Sequence, residues 1–166
     1  MKIICFSKRD FEKYCSEHGF SDANPPKDFA VISICCNPEV ANRVLRDGDP
    51  HFFSEDHENV LNVEFDDITV DVDYFDMRDD GDHSEPVTAQ GITNETAEKI
   101  VRFIESHKDM DIMVHCRAGK SRSQAVTRYV LDFYPDHDET NPDNPCVHYN
   151  IHTYLKLKKA RETILC

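Results

Sequence analysis

The sequence predicts an α/β fold in three layers: a central, mostly parallel sheet of about four to five strands with helices on both faces. Three observations lead there. Short apolar runs recur along the chain, each the length of a buried strand. Segments with apolar residues at i, i+3, i+4 and i+7 lie between and after them. Directly behind one run, Ile112-Met113-Val114, comes a glycine-bearing turn that leads into such a segment. Strands alternating with helices imply a parallel sheet covered on both sides, and a turn at the carboxyl end of a central strand is where such sheets bind ligands.

Taken in order, Lys2 to Phe6 reads as the first strand. Ser7 is placed to cap a helix running to about His18, and Gly19 to end it. Phe29 to Ile34 is the second strand. Val60 to Phe65 is the third, with Leu61, Val63 and Phe65 alternating. Asp71 to Gln90 is polar and acidic, and within it Val72, Tyr74 and Phe75 form a short strand or pack a lid. Thr93 to His107 is the clearest helix, with Ala97, Ile100, Val101 and Ile104 on one face and Thr93-Asn94-Glu95 as cap and first turn. Asp111 to His115 is the fourth strand. Val126, Tyr129, Val130 and Phe133 then place a helix from about Arg122 to Tyr134, stopped by Pro135. Pro135 to Pro145 is an acidic loop with no periodicity, and a last helix spans roughly Val147 to Ile164.

A chain of 166 residues reads as one domain, residues 1–166. At this size folding buries about two thirds of the chain's surface. Hydrophobic content of 39 % and charged content of 31 % are those of a soluble globular protein, and no apolar run is long enough to span a membrane. The apolar start, Ile3-Ile4-Cys5-Phe6, is too short for a secretory signal. The seven cysteines are odd in number, unevenly spaced and free of any C-x-x-C pair, which fits reduced thiols and a cytoplasmic location. The net charge of −13 argues against nucleic acid and against stable membrane association as partners. Most of the acid falls in Glu55 to Glu85 and Asp132 to Asp143, whereas the turn after the fourth strand carries Arg117, Lys120 and Arg122. The expected site is a basic pit in an acidic body.

That turn, His115-Cys116-Arg117-Ala118-Gly119-Lys120-Ser121-Arg122-Ser123, holds the chemistry. A strand ending at His115 delivers a thiol to the floor of the turn. The following residues aim backbone N–H groups inward, making an anion nest at a helix N-terminus. Those groups and a guanidinium favour thiolate over thiol. A nucleotide-binding P-loop is the competing reading of Gly119-Lys120-Ser121, but it needs a glycine where this chain has Val114.

The turn resembles the signature loop of the cysteine-dependent protein phosphatases, His-Cys-x-x-Gly-x-x-Arg-Ser/Thr, and is most similar to the compact dual-specificity-like branch of the tyrosine phosphatases. The matching residues are His115, Cys116, Gly119, Arg122 and Ser123. The resemblance implies a phosphatase fold and a phosphocysteine formed on Cys116. It implies bidentate phosphoryl binding by Arg122, a Ser123 that helps the thiolate leave, and a His115 that orients the loop by a hydrogen bond. The loop residues Arg117, Ala118, Gly119, Lys120 and Ser121 are then the substrate-binding positions. No cofactor or metal is expected, because thiolate, arginine and carboxyl fill all three roles.

A general acid must protonate the leaving oxygen. In the resembled family it follows an alternating strand, and Leu61 to Ile68 is similar to that strand and its end, which makes Asp67 the acid. Asp67 lies further upstream of Cys116 than is usual there, so an insertion near 69–90 is implied. Spacing alone points instead to Asp79, Asp80 or Asp82. Cys35 or Cys36 is a candidate for a reversible disulfide with Cys116. His148 and His152, four apart on the last helix, have zinc-ligand spacing but lack the glutamate of a metalloprotease motif, and read as surface histidines.

The expected substrate is a phosphorylated protein or peptide, phosphotyrosine first, with dual specificity open. Basic Arg117 and Lys120 resemble the loops of lipid and inositol phosphatases, which makes a phosphoinositide or inositol polyphosphate the alternative. A phospho-binding module with weak catalysis is the third reading. Oligomeric state is not legible in the sequence.

Overall fold

The computed structural model describes residues 1–45, 47–68, 74–77, 87–139 and 148–165. In chain order the elements are β1 (Lys2–Ser7), α1 (Lys8–Glu17), β2 (Phe29–Cys35), α2 (Pro38–Val44), β3 (Val60–Glu64), β4 (Tyr74–Met77) and β5 (Val87–Gln90). They continue with α3 (Asn94–Ser106), β6 (Asp111–Cys116), α4 (Arg122–Phe133), β7 (Asp138–Glu139) and α5 (Ile151–Leu165).

The main sheet has five strands in the order β3-β2-β6-β1-β7, and every pairing in it is parallel. β6 is central. Register places Ser7 beside Cys116, Ser33 beside His115 and Cys35 beside Glu64. Parallel strands end on one rim, so the segments that follow β1, β2, β3 and β6 converge above the same edge of the sheet.

Alternation along the strands separates two faces. Ile112, Val114 and Cys116 join Ile3, Cys5, Ile32 and Ile34 in a core closed by Ile100 and Ile104 of α3, Val126 and Tyr129 of α4 and Leu157 of α5. Met113 points the other way, into a cluster with Phe11 and Cys15 of α1, Val31, Val60 and Phe53. The sheet is thus sandwiched, as expected. Both outer strands carry carboxylates. β7 is two acidic residues paired to Lys2 and Ile3, and on the far side Asp56 Oδ1 accepts from the Asn62 N–H of β3 at 2.7 Å.

Helix starts follow local chemistry. Ser7 accepts from the Asp10 N–H, Thr93 from the Thr96 N–H and Asn37 from the Glu39 N–H, with Pro38 in the first turn where its missing N–H costs nothing. Gly19 ends α1 at φ +70.

Three expectations need correction. The last helix begins at Ile151, not near Val147, because Asn150 is its cap: its Oδ1 accepts the Thr153 N–H at 2.8 Å. His148 therefore precedes the helix and is exposed while His152 is buried, so the two do not share a surface face, and among the described residues no group of three metal-binding side chains occurs. The stretch after Pro135 contains β7 rather than loop alone. The connection after Cys35 contains α2, whose seven residues are too few to show a period. In the acidic stretch Tyr74 and Phe75 do form a strand, β4, in an antiparallel hairpin with β5. Val72 lies outside the described residues. No helix among the described residues is long and apolar enough to cross a membrane.

Candidate active site

Cys116 ends β6 at the centre of the rim, and the loop behind it is pressed against the junction of β1 and α1. Gly119 has φ +67, and a Cβ there would stand 2.7 Å from both the Phe6 carbonyl oxygen and the Ser7 nitrogen. Only glycine fits. The Lys8 N–H donates to the Arg117 carbonyl at 3.2 Å, and Gln124 Nε2 to the Gly119 carbonyl at 3.1 Å, so the turn is tied at both ends.

The Cys116 thiol is 2 % exposed and its Sγ lies 3.0 Å from Ser123 Oγ. Burial pushes this thiol up, but the Arg122 guanidinium, the Ser123 hydroxyl and the Ser123 and Ser121 amides outweigh it, and the result is a thiol below its ordinary range.

Arg122 is 3 % exposed. Its Nη1 donates to the Phe65 carbonyl at 2.6 Å and the Cys35 carbonyl at 3.2 Å, and Nη2 to Cys36 Sγ at 3.5 Å. Its Nε–H is buried without a hydrogen-bond partner among the described residues. A buried guanidinium edge with an unmet donor is costly unless an anion completes it. Nη1 is spent on fixing the side chain, so the Nε edge is the one left for a planar, two-oxygen ligand.

Opposite the loop, adjacent carboxylates at the end of β3 have different surroundings. Asp66 is buried: Oδ1 accepts from the Asn37 N–H at 3.1 Å and Oδ2 from the Gln90 N–H at 2.8 Å. Burial raises its pKa, against those two bonds. It staples the end of β3 to α2 and β5. Asp67 is exposed and turns toward the phosphate loop, where its Oδ1 accepts from Ser121 Oγ at 2.6 Å and Asn150 Nδ2 at 2.7 Å. β3 ends at Glu64, so it is the turn after the strand, not continued alternation, that exposes Asp67 and brings it to Ser121. Asp79, Asp80 and Asp82 lie outside the described residues.

Asn150 is the residue that sequence reasoning missed. It is buried, its Nδ2 also donates to the Ile68 carbonyl at 2.7 Å, and its own N–H donates to the Ser121 carbonyl at 3.2 Å. Its position before the last helix could mark it as a cap, but not as a partner of Asp67. Ser121 shows the reverse. It stands at the cap position of α4 but makes no capping bond, because its hydroxyl goes to Asp67.

His115 departs from expectation. Both ring nitrogens are buried without a hydrogen-bond partner, and the ring stacks on Phe11 at 4.3 Å between centroids. Burial, chiefly, pushes its pKa down to about 3. It supports the loop as a neutral packing element, not through a hydrogen bond. Beside it Lys8 Nζ pairs with buried Asp49 at 2.9 Å and also donates to the Pro50 carbonyl, while Asp49 Oδ2 accepts the Cys36 N–H at 2.8 Å. Of the two cysteines at the end of β2, Cys35 is buried, with its thiol pushed up to about 12 by desolvation, and it is the Cys36 thiol that touches Arg122. Arg117, Ala118 and Lys120 are exposed on the loop, and neither cation has an ion-pair partner among the described residues.

No protein-family model, curated protein or solved structure matches this chain. The site therefore stands on its geometry: a buried, thiolate-favouring cysteine, a fixed guanidinium with an open edge, and a carboxylate across the cleft.

Proposed function

We propose that the protein hydrolyses phosphomonoesters through a phosphocysteine on Cys116, with protein phosphotyrosine as first substrate class. The observation that carries this reading is the buried, unpartnered Nε–H of Arg122 beside a thiol lowered below its ordinary range. In the first step the Cys116 thiolate attacks phosphorus, the bond to the leaving oxygen breaks, and that oxygen takes a proton from Asp67. In the second step water attacks phosphorus and gives a proton to the Asp67 carboxylate. The S–P bond breaks, and the electron pair returns to sulfur facing the Ser123 hydroxyl. Arg122 holds two phosphoryl oxygens throughout. Ser121 and Asn150 both bond to Oδ1 of Asp67, so Oδ2 is the oxygen that carries the transferred proton.

The resemblance of the loop to the cysteine-dependent phosphatases supports this reading, as does the sheet that presents it. A reducing, cytoplasmic setting suits an unmasked thiolate. Para-nitrophenyl phosphate tests the reaction, since its leaving group hardly needs the acid. The expected result is turnover that Cys116→Ser abolishes, with phosphate trapped on Cys116 in the wild type. Binding of phosphate without turnover would instead leave a phospho-binding module.

A second reading has its own observation. Arg117 and Lys120 are exposed, with no ion-pair partner among the described residues, on a loop whose first anionic requirement Arg122 already meets. An inositol polyphosphate or phosphoinositide, with further phosphates on the ring, uses both. Turnover of phosphotyrosine peptide, phosphoserine peptide, soluble inositol polyphosphate and phosphoinositide, compared in wild type and in Arg117→Ala/Lys120→Ala, separates the two. Loss confined to the inositol substrates selects this second reading.

A further inference from the structure

Cys5 is a buried thiol that the chemistry above leaves unused, and it lies directly beneath the phosphate loop. Its Sγ is 3.2 Å from Ser123 Oγ and 3.6 Å from the Gly119 carbonyl oxygen. The same Ser123 oxygen is 3.0 Å from Cys116 Sγ. β1 and β6 are neighbours, with Cys5 opposite Val114 and Ser7 opposite Cys116, so the two sulfurs are offset along adjacent strands and Ser123 fills the space between them.

We propose that Cys5 is a positioning residue that acts through Ser123, in a relay where the Cys5 S–H donates to Ser123 Oγ and the Ser123 O–H donates to the Cys116 thiolate. This rests on the reading of Cys116 as nucleophile. A serine hydroxyl has one hydrogen to give, and a thiolate can only accept. Ser123 has two sulfurs within reach, so its hydrogen would be divided if Cys5 acted as acceptor. With Cys5 as donor that alternative closes, and the O–H is polarised toward Cys116. The Gly119 carbonyl is the more distant acceptor for Cys5 and already receives Gln124 Nε2. Cys5 and Ser123 are fully buried and Cys116 is nearly so, so water does not stand in for a lost donor. The other groups on Cys116, the Arg122 guanidinium and the Ser121 and Ser123 amides, do not depend on Cys5. The relay acts wherever negative charge sits on sulfur: on the resting thiolate, and again when the S–P bond of the phosphocysteine breaks and the pair returns to Cys116.

The test compares Cys5→Ala, Cys5→Val and Cys5→Ser, each alone and with Ser123→Ala. The first readout is the rate at which iodoacetamide alkylates Cys116, located by mass spectrometry, at a pH below the midpoint of the wild-type rate profile. Loss of one weak hydrogen bond slows alkylation by about threefold in the Ala and Val variants, the Ser variant matches wild type, and in the Ser123→Ala background Cys5→Ala adds nothing. The second readout is rapid mixing with para-nitrophenyl phosphate. Cys5→Ala gives a larger burst and a slower steady state than wild type, because breakdown of the phosphocysteine is the step it slows. Equal alkylation in wild type and both donor-less variants overturns the proposal, as does a Ser variant as slow as Ala, or an effect that persists without the Ser123 hydroxyl. Cys5→Val fills the space that Ala leaves, which separates a lost donor from a cavity. Alkylation needs no turnover, so absence of phosphatase activity would count against the proposed function and leave the relay decided by the first readout.

Discussion

The two loops that meet over Cys116 are held in opposite ways. The proposed phosphate loop is fixed from within its own segment: Gly119 at φ +67 packs against β1, the Gln124 side chain donates to the Gly119 carbonyl, and the Ser121 and Ser123 amides turn onto the sulfur. The proposed acid loop, residues 65–68, is fixed by side chains and backbone groups from the rest of the chain. Arg122 holds the Phe65 carbonyl, Asn37 and Gln90 hold Asp66, and Ser121 and Asn150 hold Asp67. The first arrangement fails as a unit. The second is a sum of separate bonds, each worth about 1 kcal/mol, and it can be loosened one bond at a time. Damage to the phosphate loop should lower every rate alike, whereas damage to the acid loop should fall on leaving groups that need a proton.

The largest effect expected is that of Asp67→Asn, which should lower kcat for an alkyl phosphate by about 10²- to 10⁴-fold and that for para-nitrophenyl phosphate far less. Asp66→Asn, one residue away, should leave the ratio of the two rates alone and lower the melting temperature. If the Asp67 variant leaves that ratio unchanged, the acid role passes to Asp79, Asp80 or Asp82. Gly119→Ala comes next. Its Cβ forces the loop off Phe6 and Ser7, and a shift of about 1 Å costs about 10²-fold; unlike Asp67→Asn it should cost both substrates equally. Full activity in that variant would show that the loop is not held as described.

Asn150→Asp is a smaller and more selective probe. It keeps an acceptor for the Thr153 N–H, and so the start of α5, but removes the amide donor from Asp67 and Ile68. A loss of about tenfold, confined to poor leaving groups, is expected, in line with one to two hydrogen bonds. Asn150→Ala should add the loss of the cap, about 1 kcal/mol of stability. The gentlest probe reaches beneath the phosphate loop. His115 is held neutral with a folded pKa near 3, below its unfolded value. Its contribution is therefore complete above the unfolded value, about 6.5, and drains as pH falls toward 3, because the unfolded chain then binds a proton that the folded one refuses. The slope approaches about 1.4 kcal/mol per pH unit. Unfolding of wild type and His115→Leu in urea at pH 7 and pH 5 should show the stability gap shifting toward the variant at the lower pH; parallel curves would mean that His115 takes up its proton in place.

How legible each loop was in the sequence follows from the same contrast. The loop after β6 is local: cysteine, glycine, arginine and serine stand in one short segment, and strand and helix periods on either side place it. The long helix Asn94–Ser106 and the alternation of Leu61, Val63 and Phe65 were equally plain, because each pattern repeats within a single element. Asp67 was singled out from that alternation, but β3 stops at Glu64, and the turn that brings its carboxylate to Ser121 has no period to read. Asn150 was not, since its partners lie at Asp67, Ile68 and Ser121, and no local pattern encodes a contact made by the fold. The hydrogen bond expected of His115 failed for a related reason: whether a strand-end imidazole meets a donor, an acceptor or the face of Phe11 is decided by α1, far from it in the chain.

The sheet's two outer strands bear on a different property, how the protein behaves in a crowd of its own copies. A parallel sheet left open at its sides offers a row of unpaired amides that a neighbouring chain can extend into a fibre. Here one margin is closed by two carboxylate-bearing residues, Asp138 and Glu139, and on the other the Asp56 side chain already occupies the Asn62 amide. An approaching strand meets negative charge on both sides, on a chain whose net charge is already −13. Resistance to edge-on association is thus expected of the same sheet that carries Cys116 at its centre, and added salt, which screens that charge, should weaken it.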